Sequence, residues 1–122
     1  MKQLSEIRSN WHNSFLRGDV EILKDIEMPS FKAVNELGIE CRDARYSTIN
    51  KRVSDGRWFK SSVYASDVSL DILELGDTCI ITGLGEIRSK DSTIRRIFFS
   101  EIWIKINEGW KINQIHTSNA NI

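Results

Sequence analysis

The chain has 122 residues, with 17 Lys+Arg against 17 Asp+Glu, 40% hydrophobic and 28% charged. That length suits one domain over 1–122, able to bury about two-thirds of its unfolded surface without staples, and the composition excludes a disordered chain. Zero net charge supplies no field to draw in nucleic acid or an anionic membrane, and Cys41 and Cys79 are too few for a disulfide framework or a zinc site.

The N-terminus shows no apolar h-region or cleavage site, and no apolar run approaches ~18 residues. A cytoplasmic protein with reduced thiols is therefore expected. Leu4, Ile7, Trp11 and Phe15 recur at spacings of three and four, which predicts a first helix. Gly18 stops it, and Asp19 caps a short second helix carrying Val20, Ile22, Leu23 and Ile26. Pro29, the only proline, ends that helix. A short strand Ser30–Asn35 then turns through Glu36-Leu37-Gly38 into Ile39-Glu40-Cys41. From about Asp43 a third helix sets Tyr46, Ile49 and Val53 on one face, with Gly56 as its C-terminal glycine.

After Trp58 the period changes to two. Strands are predicted over Ser62–Leu75, Thr78–Arg88, Thr93–Ile106 and Trp110–Ser118, which is an α+β layout. The third of these alternates poorly, because Phe98, Ile102 and Ile104 oppose Ile97, Phe99 and Trp103 on its other face. Such a strand has both faces covered. The helices cover one side of the sheet, so a second copy of the chain is expected on the other, as a homodimer.

Leu75-Gly76-Asp77-Thr78-Cys79-Ile80-Ile81-Thr82-Gly83, Phe99-Ser100-Glu101-Ile102-Trp103-Ile104-Lys105 and Glu108-Gly109-Trp110-Lys111-Ile112 together resemble the nuclear transport factor 2-like superfamily. The likeness covers nearly the whole chain and lies closest to its SnoaL-like and ketosteroid isomerase-like small proteins. It implies a cone-shaped, strongly curved antiparallel sheet wrapped around three N-terminal helices, a cystatin-like fold with a pocket at its open end. It also implies where chemistry should lie. The tyrosine that donates to the oxyanion in steroid isomerase relatives falls on Trp11, and the proton-abstracting aspartate on Asn35. An amide is no general base. The protonated second carboxylic acid falls on Glu101. In the kinase association domains of the same superfamily that position holds an arginine, so a pocket for an anionic ligand is not implied here; both likenesses turn position 101 into the cavity, which makes Glu101 the candidate catalytic group.

Among Phe99 and Trp103, desolvation would raise the Glu101 pKa and leave it an acid or hydrogen-bond donor; the alternative is a carboxylate paired with Arg95 or another cation at the cavity edge. His116 is a candidate acid–base partner if a two-residue Glu108-Gly109 loop sets it opposite Glu101. A three-residue loop Asn107-Glu108-Gly109 instead opposes Ile115, turns Asn113 and Thr117 inward and points His116 at a dimer partner. The expected pocket adds the aromatics Trp11, Phe15, Tyr46, Trp58, Phe99 and Trp103 to Asn35, Asn113 and Thr117. Arg42, Arg45, Lys51, Arg52 and Arg57, with Asp43 and Asp55 interleaved, read as a solvated helix face. Gly83 and Gly85 read as sites of a bulge or sharp curvature rather than a phosphate loop.

These readings predict a small-molecule-binding protein with a moderately apolar pocket for an apolar or aromatic molecule, with no cofactor, metal, nucleic acid or membrane partner. The alternatives are a cofactor-independent isomerase, cyclase, dehydratase or hydrolase of the SnoaL-like kind, with Glu101 as acid or donor, and an oligomerisation module.

Overall fold

A computed structural model describes residues 2–90, 92–107 and 109–121. In chain order the elements are α1 (Lys2–Arg17), α2 (Val20–Ile26), β1 (Glu27–Asn35), β2 (Gly38–Cys41), α3 (Arg42–Ser54), β3 (Val63–Leu75), β4 (Thr78–Ser89), β5 (Ser92–Ile106) and β6 (Gly109–Asn119). The six strands form one curved, unclosed sheet in the order β2-β1-β6-β5-β4-β3. Among the described residues no helix is long and apolar enough to cross a membrane.

The break between α1 and α2 is built by Gly18. At φ +72° it turns the chain so that its own N–H reaches the Phe15 carbonyl and the Asp19 N–H reaches the Ser14 carbonyl, which closes the helix end. A Cβ there would also lie only 2.5 Å from the Val53 Cγ2, so glycine is required for packing as well as for φ. The Asp19 carboxylate then accepts the Ile22 N–H at 3.3 Å and starts α2.

Pro29 does not end α2. That helix stops at Ile26, and Pro29 is the third residue of β1. It occupies an irregular stretch where β1 breaks step with β6 between Glu27 and Lys32, a place where a missing N–H costs no ladder bond. The sheet also differs from the fully antiparallel expectation. β1 pairs with β6 in parallel, while the other four neighbouring pairs are antiparallel. Most of the chain separates β1 from β6, so the long connection that a parallel pair needs is available.

Curvature comes from β3 and β4. Asp67 pairs with Gly85 and Ser69 with Leu84, which leaves Val68 as a bulge. A Cβ on Gly83 would run into the Ser69 carbonyl oxygen, so glycine lets the bent strand approach. The helices fill the concave side, where Leu4, Trp11, Leu23, Phe31, Ile49, Trp103 and Ile112 are buried together. On β5 the concave residues Phe99, Glu101 and Trp103 are buried, whereas Phe98 on the convex side is 46% exposed.

The last hairpin takes neither expected loop. Ile106 pairs with Gly109, and Asn107 enters the turn between them at φ +51°; Glu108 lies outside the described residues. Asparagine tolerates that left-handed conformation, so the glycine is not needed for it. Trp103 pairs with Ile112 and Ile102 with Gln114, which makes Asn113 a bulge. Ile115 consequently lies opposite Glu101 and His116 opposite Ser100.

Candidate functional site

The pitch of α1 places Arg8, Trp11, His12 and Phe15 on one face, and all four line a cavity of about 920 Å³ between the helices and the concave sheet. The β1–β2 hairpin adds Asn35 and Ile39, α3 adds Arg45 and Arg52, and Trp58 closes one side. The sheet contributes Asp67, Ile87, Phe99, Ile115 and Thr117. Phe15, Trp58 and Phe59 meet through their ring edges, with centroids 5.2–6.1 Å apart.

Two buried carboxylates support this wall. Glu101, fully buried on β5, is gripped by Arg8, whose Nε donates to Oε1 at 2.8 Å and whose Nη2 donates to Oε2 at 3.0 Å. The Trp103 indole donates to Oε1 at 2.8 Å, and the His12 Nε2 lies 3.2 Å from Oε2. The same guanidinium holds Asp67 of β3 through Nη1 at 2.8 Å and Nη2 at 3.2 Å, and it lies 5.3 Å over the Phe99 ring. The second carboxylate is Glu27 at the start of β1. It accepts from the Trp11 indole at 2.8 Å, from Arg45 at 2.7 Å and from the Tyr46 hydroxyl at 2.8 Å. Trp11 and Trp103 touch edge to face, at a centroid distance of 5.8 Å, so the two clusters abut.

These contacts set the protonation states. Burial works to raise the Glu101 carboxyl, but hydrogen bonds from His12 and Arg8 and the charge of the Arg8 guanidinium outweigh it and hold the group at about 2. Burial alone would lower Arg8; its hydrogen bonds to Glu101 and Asp67 hold it above its ordinary value instead. Burial, reinforced by the Glu27 carboxylate, pushes the Tyr46 phenol up.

Several expected roles therefore change. Glu101 is an ionised acceptor rather than a protonated donor, because three side chains already donate to it. It does not pair with Arg95, whose Nε donates to the Asn119 side-chain oxygen at 3.1 Å; six residues along one strand is about 20 Å, beyond an arginine's reach. Trp11 faces the cavity, but its indole N–H is committed to Glu27. Tyr46 and Trp103 lie buried behind the wall and not on it. Asn113, displaced by its bulge, accepts the Ser30 hydroxyl at 2.8 Å outside the cavity. His116 is exposed on the convex side. Phe15, Asn35, Trp58, Phe99 and Thr117 do line the cavity. The Asn35 side-chain oxygen accepts the Leu37 N–H at 2.8 Å, which leaves its amino group as a donor. Arg45, read as part of a solvated face, is buried on Glu27.

Arg8, His12 and Asp67 were not singled out from the sequence. A signal existed for the first two. Each follows one position after a member of the apolar stripe, Ile7 or Trp11, and the two are spaced i, i+4. Asp67 carries no such mark, since its contact with Arg8 depends on the curl of β3. Among the described residues no group of three or more His, Cys, Asp or Glu could hold a metal ion.

A mixed sheet curled around an α1–α2 hairpin and α3, open at one end, is a recurrent architecture among solved structures. A proposed dehydratase of the NTF2-like family from Streptomyces avermitilis superposes with a TM-score of 0.78 at 15% identity, over 99% of this chain and 96% of that one. The chain has the nuclear transport factor 2-like, cystatin-like fold. A protein of unknown function with a cystatin-like fold from Nostoc punctiforme superposes as well, with a TM-score of 0.77 and 12% identity over 98% of this chain and 90% of that one. So does the CaMKII hub of S. rosetta, at 0.73 and 19% over 98% and 95%. At such identities the likeness establishes the NTF2-like fold alone. No family model and no curated protein matches the sequence.

Proposed function

We propose that the protein binds a small molecule with an apolar or aromatic body in this cavity. The observation that carries the reading is an open space of about 920 Å³, within the roughly 300–1,000 Å³ of ligand sites. Its inner cations Arg8 and Arg45 are already neutralised by Glu101, Asp67 and Glu27. Aromatic surface from Phe15, Trp58 and Phe99 meets the ligand body, and Asn35, Thr117 and His12 offer polar handles. A module serving association alone has no need of such a space. Titration of tryptophan fluorescence with a panel of fused-ring aromatics, alongside thermal denaturation, tests this. Saturable quenching and a rise in melting temperature are expected, both weakened by Phe99→Ala. A panel with no effect on either signal overturns the reading.

We further propose that a second copy covers the convex face. Its strand register lines up Leu73, Ile80 and Ile102 in one row and Leu84 with Phe98 in another, and among the described residues no helix packs there. Sedimentation should give a dimer, and Phe98→Lys a monomer with the same fold.

A further inference from the structure

We infer that His12 accepts the proton of a hydrogen-bond-donating ligand, and that the ligand is a phenol or another aromatic molecule with a weakly acidic O–H. This rests on the cavity being a ligand site. Glu101 is buried, ionised and lacks a proton to give, so the contact between its Oε2 and the His12 Nε2 requires the hydrogen on the imidazole. Nε2 is thereby fixed as an N–H nitrogen, so that whenever the ring is neutral its lone pair sits on Nδ1. No protein partner for Nδ1 occurs among the described residues, and the side chain is 27% exposed on the cavity wall.

Three other polar side chains of the inner wall are committed. The Trp11 indole serves Glu27, the Trp58 indole serves the Phe15 carbonyl at 3.0 Å, and four donor bonds of Arg8 go to Glu101 and Asp67. His12 is thus the inner-wall side chain that combines a free acceptor with a built-in counter-ion. A ligand O–H can donate to Nδ1. On full transfer the O–H bond breaks, the oxygen keeps the pair, and the new N–H belongs to an imidazolium held by Glu101 through Nε2. No other reactant is needed. The aromatic edges of Trp11, Phe15 and Phe99 fit the ring that carries such a hydroxyl.

Calorimetric titration with 2-naphthol and its methyl ether, 2-methoxynaphthalene, separates this inference from the binding reading. The naphthol should bind about tenfold more tightly than the ether, and a more acidic cyano-naphthol tighter still. His12→Phe should erase the difference between naphthol and ether while retaining affinity for the ether. His12→Gln, whose amide both donates and accepts, should keep part of it. Equal affinities in the wild-type protein overturn the role of His12 and leave the cavity a ligand site. Failure of both compounds to bind overturns the two together. Nitrogen-15 shifts of the ligand-free wild-type ring give a second readout independent of any variant's folding: Nε2–H is expected, and Nδ1–H overturns the assignment.

Discussion

Glu27 and Glu101 occupy matching environments and end in different places. Each is a fully buried carboxylate on a strand, each receives an arginine from a helix, and each receives a tryptophan indole. They differ in one further partner. For Glu27 it is the Tyr46 phenol, sealed behind the wall; for Glu101 it is the His12 imidazole, which reaches the cavity. A phenol whose proton is held this firmly can only brace α3 against β1. An imidazole can brace and also exchange a proton. The comparison separates a carboxylate that holds the frame from one that holds the frame and orients a side chain toward the cavity.

Removing the bracing carboxylate should have the largest effect. Glu27→Ala leaves Arg45 buried without its counter-ion and frees the Trp11 and Tyr46 donors, so urea denaturation should report a loss of about 3–5 kcal/mol. A loss under about 1 kcal/mol would break the parallel between the two clusters.

Acid should expose the Glu101 side of it. The group's folded value of about 2 lies below its ordinary 4.5, so its contribution is fully present above about pH 4.5 and fades as pH falls toward 2. The linked stability is about 3 kcal/mol. Urea midpoints between pH 5 and 2 should fall more steeply in wild type than in Glu101→Leu; equal slopes would refute an ionised Glu101.

The smallest changes sharpen the contrast most. Tyr46→Phe removes one hydrogen bond to a buried charge and should cost about 1.5–3 kcal/mol without altering ligand affinity. His12→Gln keeps a donor for Glu101, and at a half-exposed position it should cost under about 1 kcal/mol while changing which ligands bind. Paired denaturation and calorimetry on the two variants would show whether the effects cross in this way.

Much of the frame is visible in the residue order. Gly18-Asp19 marks the helix break because both residues act locally, through φ and a cap. The poor alternation of β5 identifies a strand with two apolar faces, since side-chain period is a one-strand property. The site was less legible. Tyr46 and Trp103 look like pocket aromatics by type, but a buried carboxylate turns each polar tip away from the cavity. Glu101 was located as the inward carboxylate of β5, yet its charge depends on Arg8, 93 positions away. Such distant pairs leave no periodic trace. Arg45 shows the same limit: the interleaved charges of α3 resemble a solvated face until Glu27, 18 positions earlier, is brought beneath it.

The bulge at Asn113 bears on how the chain tolerates changes in length. Ile112 pairs with Trp103 and Gln114 with Ile102, so consecutive rungs are already filled without residue 113. Deleting Asn113 alone would preserve each of those pairings and keep Ile115 and Thr117 facing the cavity, at the expense of the Ser30 contact. Deleting a neighbour such as Lys111 would instead turn Ile112 away from the core. Strand β6 therefore carries one spare residue, and a scan of single-codon deletions along it should find one tolerant position among intolerant neighbours.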